Sequence, residues 1–309
     1  MTTAFVRVER WRGAAAVTLR AGELEATLVP ELNLLGTSLR LGGEEFLALP
    51  GGVAGYRRGH TTGLPLLAPW ANRLSGLAYR SGRVRVDLSG LTLHTDDSGL
   101  PIHGTLSARD AWTIAEVSAR RGVARLDASL DYDGELLAAF PFRHRLDVTV
   151  LLDGRGVLVT TTLRPTGERP VPVSFGYHPY FRLPRGPRSR WRLVLPRRTR
   201  LELDPRGIPT GRRTTVTAEA EAIGDRPLDD LFELRGGRTF ALELDGRRVS
   251  VDFEAGYRFA QVFAPAGKRC VALEPMTAPT NALVQGTCRV VAPGERYTAR
   301  FRVRPERLP

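Results

Sequence analysis

The chain contains five histidines, at positions 60, 94, 103, 144 and 178, and their surroundings differ. His103 lies in Pro-Ile-His-Gly (101–104) and His178 in Phe-Gly-Tyr-His-Pro-Tyr-Phe (175–181). Gly, Pro and aromatic neighbours hold the backbone there, so an imidazole can be aimed into a cleft. His144 alternates between Arg143 and Arg145 in a strand pattern, which points to a surface or rim position. His60 and His94, in glycine-rich or polar loops, read as bystanders. A histidine in such a loop is more often structural than catalytic. Acid–base chemistry needs matched partners, however, and a third segment supplies a carboxylate. Glu274 closes the apolar run Cys-Val-Ala-Leu-Glu (270–274) and precedes Pro275. A carboxylate at a buried strand end is costly unless it is hydrogen-bonded or working, and desolvation would raise its pKa toward the range of a general base. The competing reading is a structural ion pair with one of the many arginines. Spacing alone leaves both open.

Other chemistries lack their motifs. The chain has no Gly-x-Ser-x-Gly elbow, no phosphate-binding Walker loop and no His-Glu-x-x-His. Gly154-Arg155-Gly156 is followed by Val159 where a dinucleotide loop needs glycine, so a hairpin turn explains it better. Cys270 and Cys288 are too few for a disulfide framework and form no Cys-x-x-Cys metal pair; two buried thiols are expected. His103, His178 and Glu274 lack the close spacing usual for zinc ligands. A zinc site built on these three is therefore not favoured.

Four segments, in order, resemble the landmarks of the aldose 1-epimerase (galactose mutarotase) family. They are Leu-Pro-Leu-Leu-Ala-Pro-Trp-Ala-Asn-Arg-Leu-Ser-Gly (64–76), Pro-Ile-His-Gly (101–104), Phe-Gly-Tyr-His-Pro-Tyr-Phe (175–181) and Leu-Glu-Pro-Met-Thr-Ala-Pro-Thr-Asn-Ala-Leu (273–283). Phe-Pro-Phe-Arg-His (140–144) also looks like the family's Pro-Phe strand entry. The resemblance implies a large antiparallel β-sandwich with an open carbohydrate cleft, needing neither metal nor organic cofactor, and an isomerase that interconverts sugar anomers through the open-chain aldehyde. Position by position, it implies Glu274 as general base, His178 (as imidazolium) as general acid, and His103 as a second histidine toward the ring oxygen. It further implies Asn72 and Arg73 as sugar contacts, an aspartate in Pro-Leu-Asp-Asp (Asp229 first, Asp230 as fallback), and Gln261 as a weaker match. Tyr180 lines the cleft or packs, and Trp70 or Tyr180 offers an aromatic wall. Opposite protonation states in the pair imply a bell-shaped pH dependence. Two departures bear on which sugar is bound: Asp230 stands where galactose-type members carry histidine, and Ala-Pro-Trp-Ala-Asn-Arg differs from their approach to the Asn-Arg pair.

These side chains need a rigid frame, and period-two alternation supplies one. Val84–Leu88, His144–Leu152 and Val157–Leu163 alternate as half-buried strands do, the last two joined by an Asp-Gly turn. Further strands are expected at 15–19, 24–29, 124–130, 191–195, 240–244, 248–253, 259–263, 269–274 and 297–303. Helix is expected for at most a turn or two, at 228–234 and 277–285. With 309 residues, 42% hydrophobic and 25% charged, and no linker or repeat, the expectation is one all-β domain over 1–309, a large antiparallel β-sandwich.

The net charge of +12 raises the question of nucleic acid. Lys268 is the only lysine among 45 basic residues, which reads as an arginine habit rather than a binding patch. The cluster Arg185, Arg188, Arg190, Arg192, Arg197, Arg198 and Arg200 is expected to be a solvated loop and strand face, with anion binding as the alternative. That alternative would make the substrate a phosphorylated or sulfonated sugar; a non-catalytic carbohydrate-binding protein is the other. Nucleic acid and membrane are not expected partners. No long apolar run marks a leader or membrane span, so a cytoplasmic monomer or homodimer acting on a small sugar is expected.

Overall fold

The computed structural model describes residues 3–309, and the alternating runs are strands. His144–Asp153 alternates between buried and half-buried along its whole length. It returns as Gly156–Pro165 through the two-residue loop Gly154-Arg155, with Asp153 opposite Gly156. Gly156 is required there: at φ +120° a Cβ would lie 2.2 Å from the carbonyl oxygen of Val303 on the neighbouring strand.

This hairpin sits in a nine-stranded sheet. In spatial order the strands are Glu219–Ala222, Arg192–Leu195, Thr239–Leu244, Arg247–Ala255, Tyr297–Arg307, Gly156–Pro165, His144–Asp153, Val123–Tyr132 and Thr113–Arg120. A second sheet runs Pro209–Val216, Arg198–Leu203, Leu228–Leu234, Phe259–Ala264, Val271–Met276, Gly176–Tyr177 and Leu66–Leu67, with Tyr180–Phe181 also on Val271–Met276. A five-stranded sheet from Ala4–Trp11 to Glu44–Glu45 completes the framework. The ladders between these strands are antiparallel, and the all-β expectation holds.

One continuous apolar cluster joins the three sheets, with Leu126, Val148, Val159, Val251 and Phe301 from the first, Phe232, Val262 and Leu273 from the second, and Leu19 and Leu39 from the third. Polar contact between the first two sheets is made by Tyr177 and Thr161, whose hydroxyls lie 2.8 Å apart in the core. Among the described residues no helix is long and apolar enough to cross a membrane.

Several expectations are corrected. Residues 228–234 form a strand, not a helical turn: Leu231 packs on one face and Phe232 on the other, so no simple alternation marked it. The second expected helix survives as the short turn Ala282–Gln285. His144 is not at the rim. It is buried, stacked on Tyr132 at 4.6 Å, and its Nδ1 lies 2.7 Å from the Phe142 carbonyl; burial lowers its pKa to about 4. The arginine cluster is only partly solvated. Arg198 is buried over the ring of Phe232 and paired with Glu219, and Arg188 is buried with a hydrogen bond to the Arg226 carbonyl. Both cysteines are free, Cys270 buried and Cys288 half-buried.

Candidate functional site

Strand register explains how the polar residues meet. In the second sheet Gln261 lies opposite both Leu231 and Glu274, while Asp229 lies opposite Phe263, and Tyr180 and Phe263 both face Ala272. Residues directly opposite share a face, and so do residues two apart. Asp229, Gln261, Phe263, Glu274 and Tyr180 are therefore on one face. Asp230, Phe232, Val262 and Leu273 occupy the other, which packs into the core. Asp230 pairs with Arg200 at 3.5 Å on that side, so of the two aspartates only Asp229 faces the cleft.

The remaining groups arrive on loops that are tied to this face. The His178 amide donates to the Pro65 carbonyl, and the Tyr180 amide to Gly63. Asn72 and His103 both adopt left-handed backbone, at φ 60° and 65°, and the His103 amide donates to the Asn72 carbonyl at 3.1 Å. Such conformations in non-glycine residues cost of order 1–3 kcal/mol each and gather at functional sites. A third, Asn281 at φ 68°, donates its amide to the Arg73 carbonyl at 2.9 Å and accepts the Ser75 amide on its Oδ1 at 2.8 Å. It clamps the Asn-Arg segment from outside. Asn281 was not singled out in the sequence; its tolerance of left-handed backbone was the available signal.

At the base of the cleft Nε2 of His178 lies 3.1 Å from Oε1 of Glu274, with the two side chains 5% and 1% exposed. Oε2 of Glu274, Nδ1 of His178 and of His103, and Oε1 of Gln261 are buried without a protein partner. Burial raises the Glu274 pKa well above its ordinary value; Asp229 adds to the rise and Arg73 opposes it. Burial also drives His178 down to about 3 and His103 well below the usual imidazole range. Burial thus favours the neutral form of the carboxyl and of both imidazoles. Gln261 donates Nε2 to Asp229, which also receives Arg73 Nη2 at 3.3 Å. Arg73 gives its Nε to Asp96 at 2.6 Å, and its backbone amide and Nη1 to Asn72 Oδ1.

A cleft of about 730 Å³ is lined by Asn72, Arg73, His103, His178, Tyr180, Asp229 and Glu274. Gln261 lies directly behind Asp229. Tyr180 both lines and packs: its ring is 4.5 Å from that of His178 and its hydroxyl 2.9 Å from Thr61. Trp70, the other expected wall, is fully buried in the core; the aromatic side is Tyr180 with Phe263, whose ring is 5.7 Å from that of His178. The sequence reads His60 and His94 as bystanders. They line the same cleft, with ring centroids 5.6 Å apart.

Asp96 was also missed. Its Oδ2 holds Arg73 while its Oδ1 accepts the amides of Ser98 and Leu100, so one carboxylate fixes both a loop and a guanidinium. A charge-assisted hydrogen bond contributes about 1.5–3 kcal/mol. Asp96→Ala is expected to raise KM for the ligand of this cleft roughly tenfold with kcat less affected. Asp96→Asn, which keeps the loop acceptor, is expected to recover part of the loss. Equal KM values for both variants and wild type would show that Arg73 needs no anchor.

The sequence model of the aldose 1-epimerase family matches residues 37–304. Among solved structures, a galactose mutarotase-like protein from Clostridium acetobutylicum superposes with a TM-score of 0.87 at 21% identity, covering 99% of each chain. Galactose 1-epimerase from Lactobacillus acidophilus gives 0.78 at 16% identity over 100% of both chains. An aldose epimerase homologue from C. elegans gives 0.75 at 14% identity, covering 99% of this chain and 100% of the other. At these identities the likeness is one of fold. No curated protein sequence matches the chain.

Proposed function

The chain belongs to the aldose 1-epimerase family, and from that premise we propose that it interconverts the α and β anomers of a free hexose, with Glu274 as general base and His178 as general acid. The observation that carries the reading is the buried pair itself: a carboxyl and an imidazole 3.1 Å apart at the base of a cleft, each with a second polar atom unsatisfied by protein.

The pair works with one proton shared between its two members, which burial favours on Glu274. Moving that proton from Glu274 to His178 gives carboxylate and imidazolium, the form that a sugar requires. The carboxylate then removes the proton from the anomeric hydroxyl while the imidazolium protonates the ring oxygen. The C1–O5 bond breaks and C1=O1 forms. Rotation about C1–C2 presents the other face of the aldehyde. The same two transfers run backwards, closing the ring as the other anomer and returning both groups to their starting state. Asp229 and Arg73, held against each other and by Gln261 and Asp96, present an acceptor and a donor to sugar hydroxyls. His103 and Asn72 add polar contacts, and Tyr180 with Phe263 offers an apolar side to the ring. Such a mixture of few oriented polar groups and aromatic surface suits a small polar ligand.

The pKa directions set the pH dependence. The pair is competent with one proton. On the acid side it gains a second, which His178 accepts only near pH 3, because burial lowers its pKa. On the alkaline side it loses its only proton, above the ordinary carboxylate range, because burial raises Glu274. The profile of kcat/KM is expected to have its acid limb near pH 3 and its alkaline limb above the ordinary carboxylate range. An acid limb near 6.5, the ordinary imidazole value, would contradict the assignment of His178 as a buried partner of Glu274.

A second reading is favoured by one observation. Arg58 and Lys268 line the cleft and neither takes part in an ion pair among the described residues, so a sugar carrying phosphate or sulfonate has two free cations to meet. The 185–200 arginine cluster contributes no residue to the cleft. Activity on glucose 6-phosphate exceeding that on glucose would support this reading.

A further inference from the structure

The sheet face that carries the cleft continues past it. Arg213, Leu201, Leu231, Gln261 and Glu274 form one row across the strands, and Thr199, Glu233, Phe259 and Met276 form the next. Leu67, Ala71, Leu201, Leu231 and Met276 pack together on this face. Beside them lies a separate pocket of about 370 Å³ that shares no lining residue with the cleft.

The charge of this pocket is unbalanced. Glu233, 6% exposed, is the only carboxylate in the lining, yet Arg213, Arg235 and Arg258 all reach it, at 3.0, 3.1 and 3.5 Å. One carboxylate neutralises one guanidinium, so two positive charges are left over. Arg212, also in the lining, has its own partner in Glu202 at 2.7 Å. Arg289 adds a third free charge. It has no ion pair among the described residues, and its guanidinium lies 5.5 Å from the ring centroid of Tyr297. Holding one buried carboxylate does not account for this surplus. Guanidinium forks bind phosphate in bidentate fashion and stack on planar rings. The rest of the lining suits the second habit: Phe259 and Tyr297 are half-buried, and Pro279 is apolar. Gln285 and Thr287 bring an amide and a hydroxyl that make no side-chain hydrogen bond among the described residues.

We propose that this pocket binds a phosphate monoester with a planar body, of mononucleotide size, at a site outside the cleft. The phosphate meets Arg213, Arg258 and Arg289, the base lies against Phe259 and Tyr297, and Gln285 and Thr287 take up polar edges. The volume is near the lower end of ordinary ligand sites, about 300–1,000 Å³, which suits a single nucleotide unit. This assignment does not depend on what the cleft catalyses.

Isothermal titration calorimetry with AMP, UMP and inorganic phosphate tests it. The proteins are wild type, Arg213→Ala, Arg289→Ala and, as a cleft control, the double variant Arg58→Ala/Lys268→Ala. Wild type is expected to bind one AMP or UMP per chain, at least about tenfold more tightly than inorganic phosphate. Arg213→Ala and Arg289→Ala should each weaken nucleotide binding by about tenfold or more, the loss of one charge-assisted hydrogen bond. The cleft double variant should bind as wild type does. Arg289 touches no carboxylate, so Arg289→Ala leaves the Glu233 pairs intact, and its melting temperature without ligand should match that of wild type. Binding of neither nucleotide, nucleotide binding no tighter than that of phosphate, or a loss confined to the cleft double variant would each overturn the proposal.

Discussion

Glu274→Gln is expected to lower kcat by about 10²–10⁴-fold, the contribution of a positioned proton-transfer group, with the sheet intact. Glutamine keeps the shape of the side chain and its place opposite Gln261, but it cannot accept the anomeric proton. The same substitution should raise stability at neutral pH. Burial holds the folded-state pKa of Glu274 well above its ordinary value, so the native protein keeps a proton that the unfolded chain releases. That difference favours the folded state fully only below the unfolded pKa, and the benefit is lost as pH rises toward the folded one. Glutamine does not titrate and escapes this loss. The Tm gain of the variant should therefore be largest near pH 7 and shrink below about 4.5. A variant that loses stability together with activity would instead mark Glu274 as a structural ion-pair member, the competing reading of its position in the sequence.

His178→Gln is expected to cost a comparable 10²–10⁴-fold, and the combination of both substitutions should be far from additive. Groups acting as one unit lose most of their effect when either is removed. Two independent groups would multiply to about 10⁴–10⁸; the double variant should instead lie within about tenfold of the worse single one. His178 also packs against Tyr180, Phe263 and His103, with ring centroids 4.5, 5.7 and 5.4 Å away. A stability loss of about 1–3 kcal/mol should accompany its removal. Circular dichroism and thermal melts separate that loss from the catalytic one, and the Gln variant is expected to remain folded at assay temperature. Full multiplicativity would mean that Glu274 and His178 serve separate steps.

Much of the frame was legible because period-two patterning survives wherever one strand face is buried and the other is not, as in His144–Asp153. The same rule, applied strictly, places His144 inside: if Arg143 and Arg145 face out, the residue between them faces in. Judging His144 by the chemistry of its neighbours put it at the rim. Strand Leu228–Leu234 hid for the opposite reason, since it packs apolar side chains on both faces. With that strand recognised, Phe232 in the core puts Asp230 on the core face and Asp229 on the other, a choice that motif order alone left open. His60, His94 and Asp96 reach the cleft through loop contacts, which no local pattern encodes. Trp70 lies two residues before Asn72 in sequence yet is fully buried in the core.

The central claim is the proton-transfer role of the Glu274–His178 pair on a sugar, and polarimetry of freshly dissolved α-D-glucose and α-D-galactose tests it most directly. Wild type should speed the approach to the equilibrium rotation of at least one of the two, and Glu274→Gln at equal concentration should lose that acceleration by about 10²–10⁴-fold. Equal rates with wild type, with Glu274→Gln and with no protein on both sugars would contradict the claim.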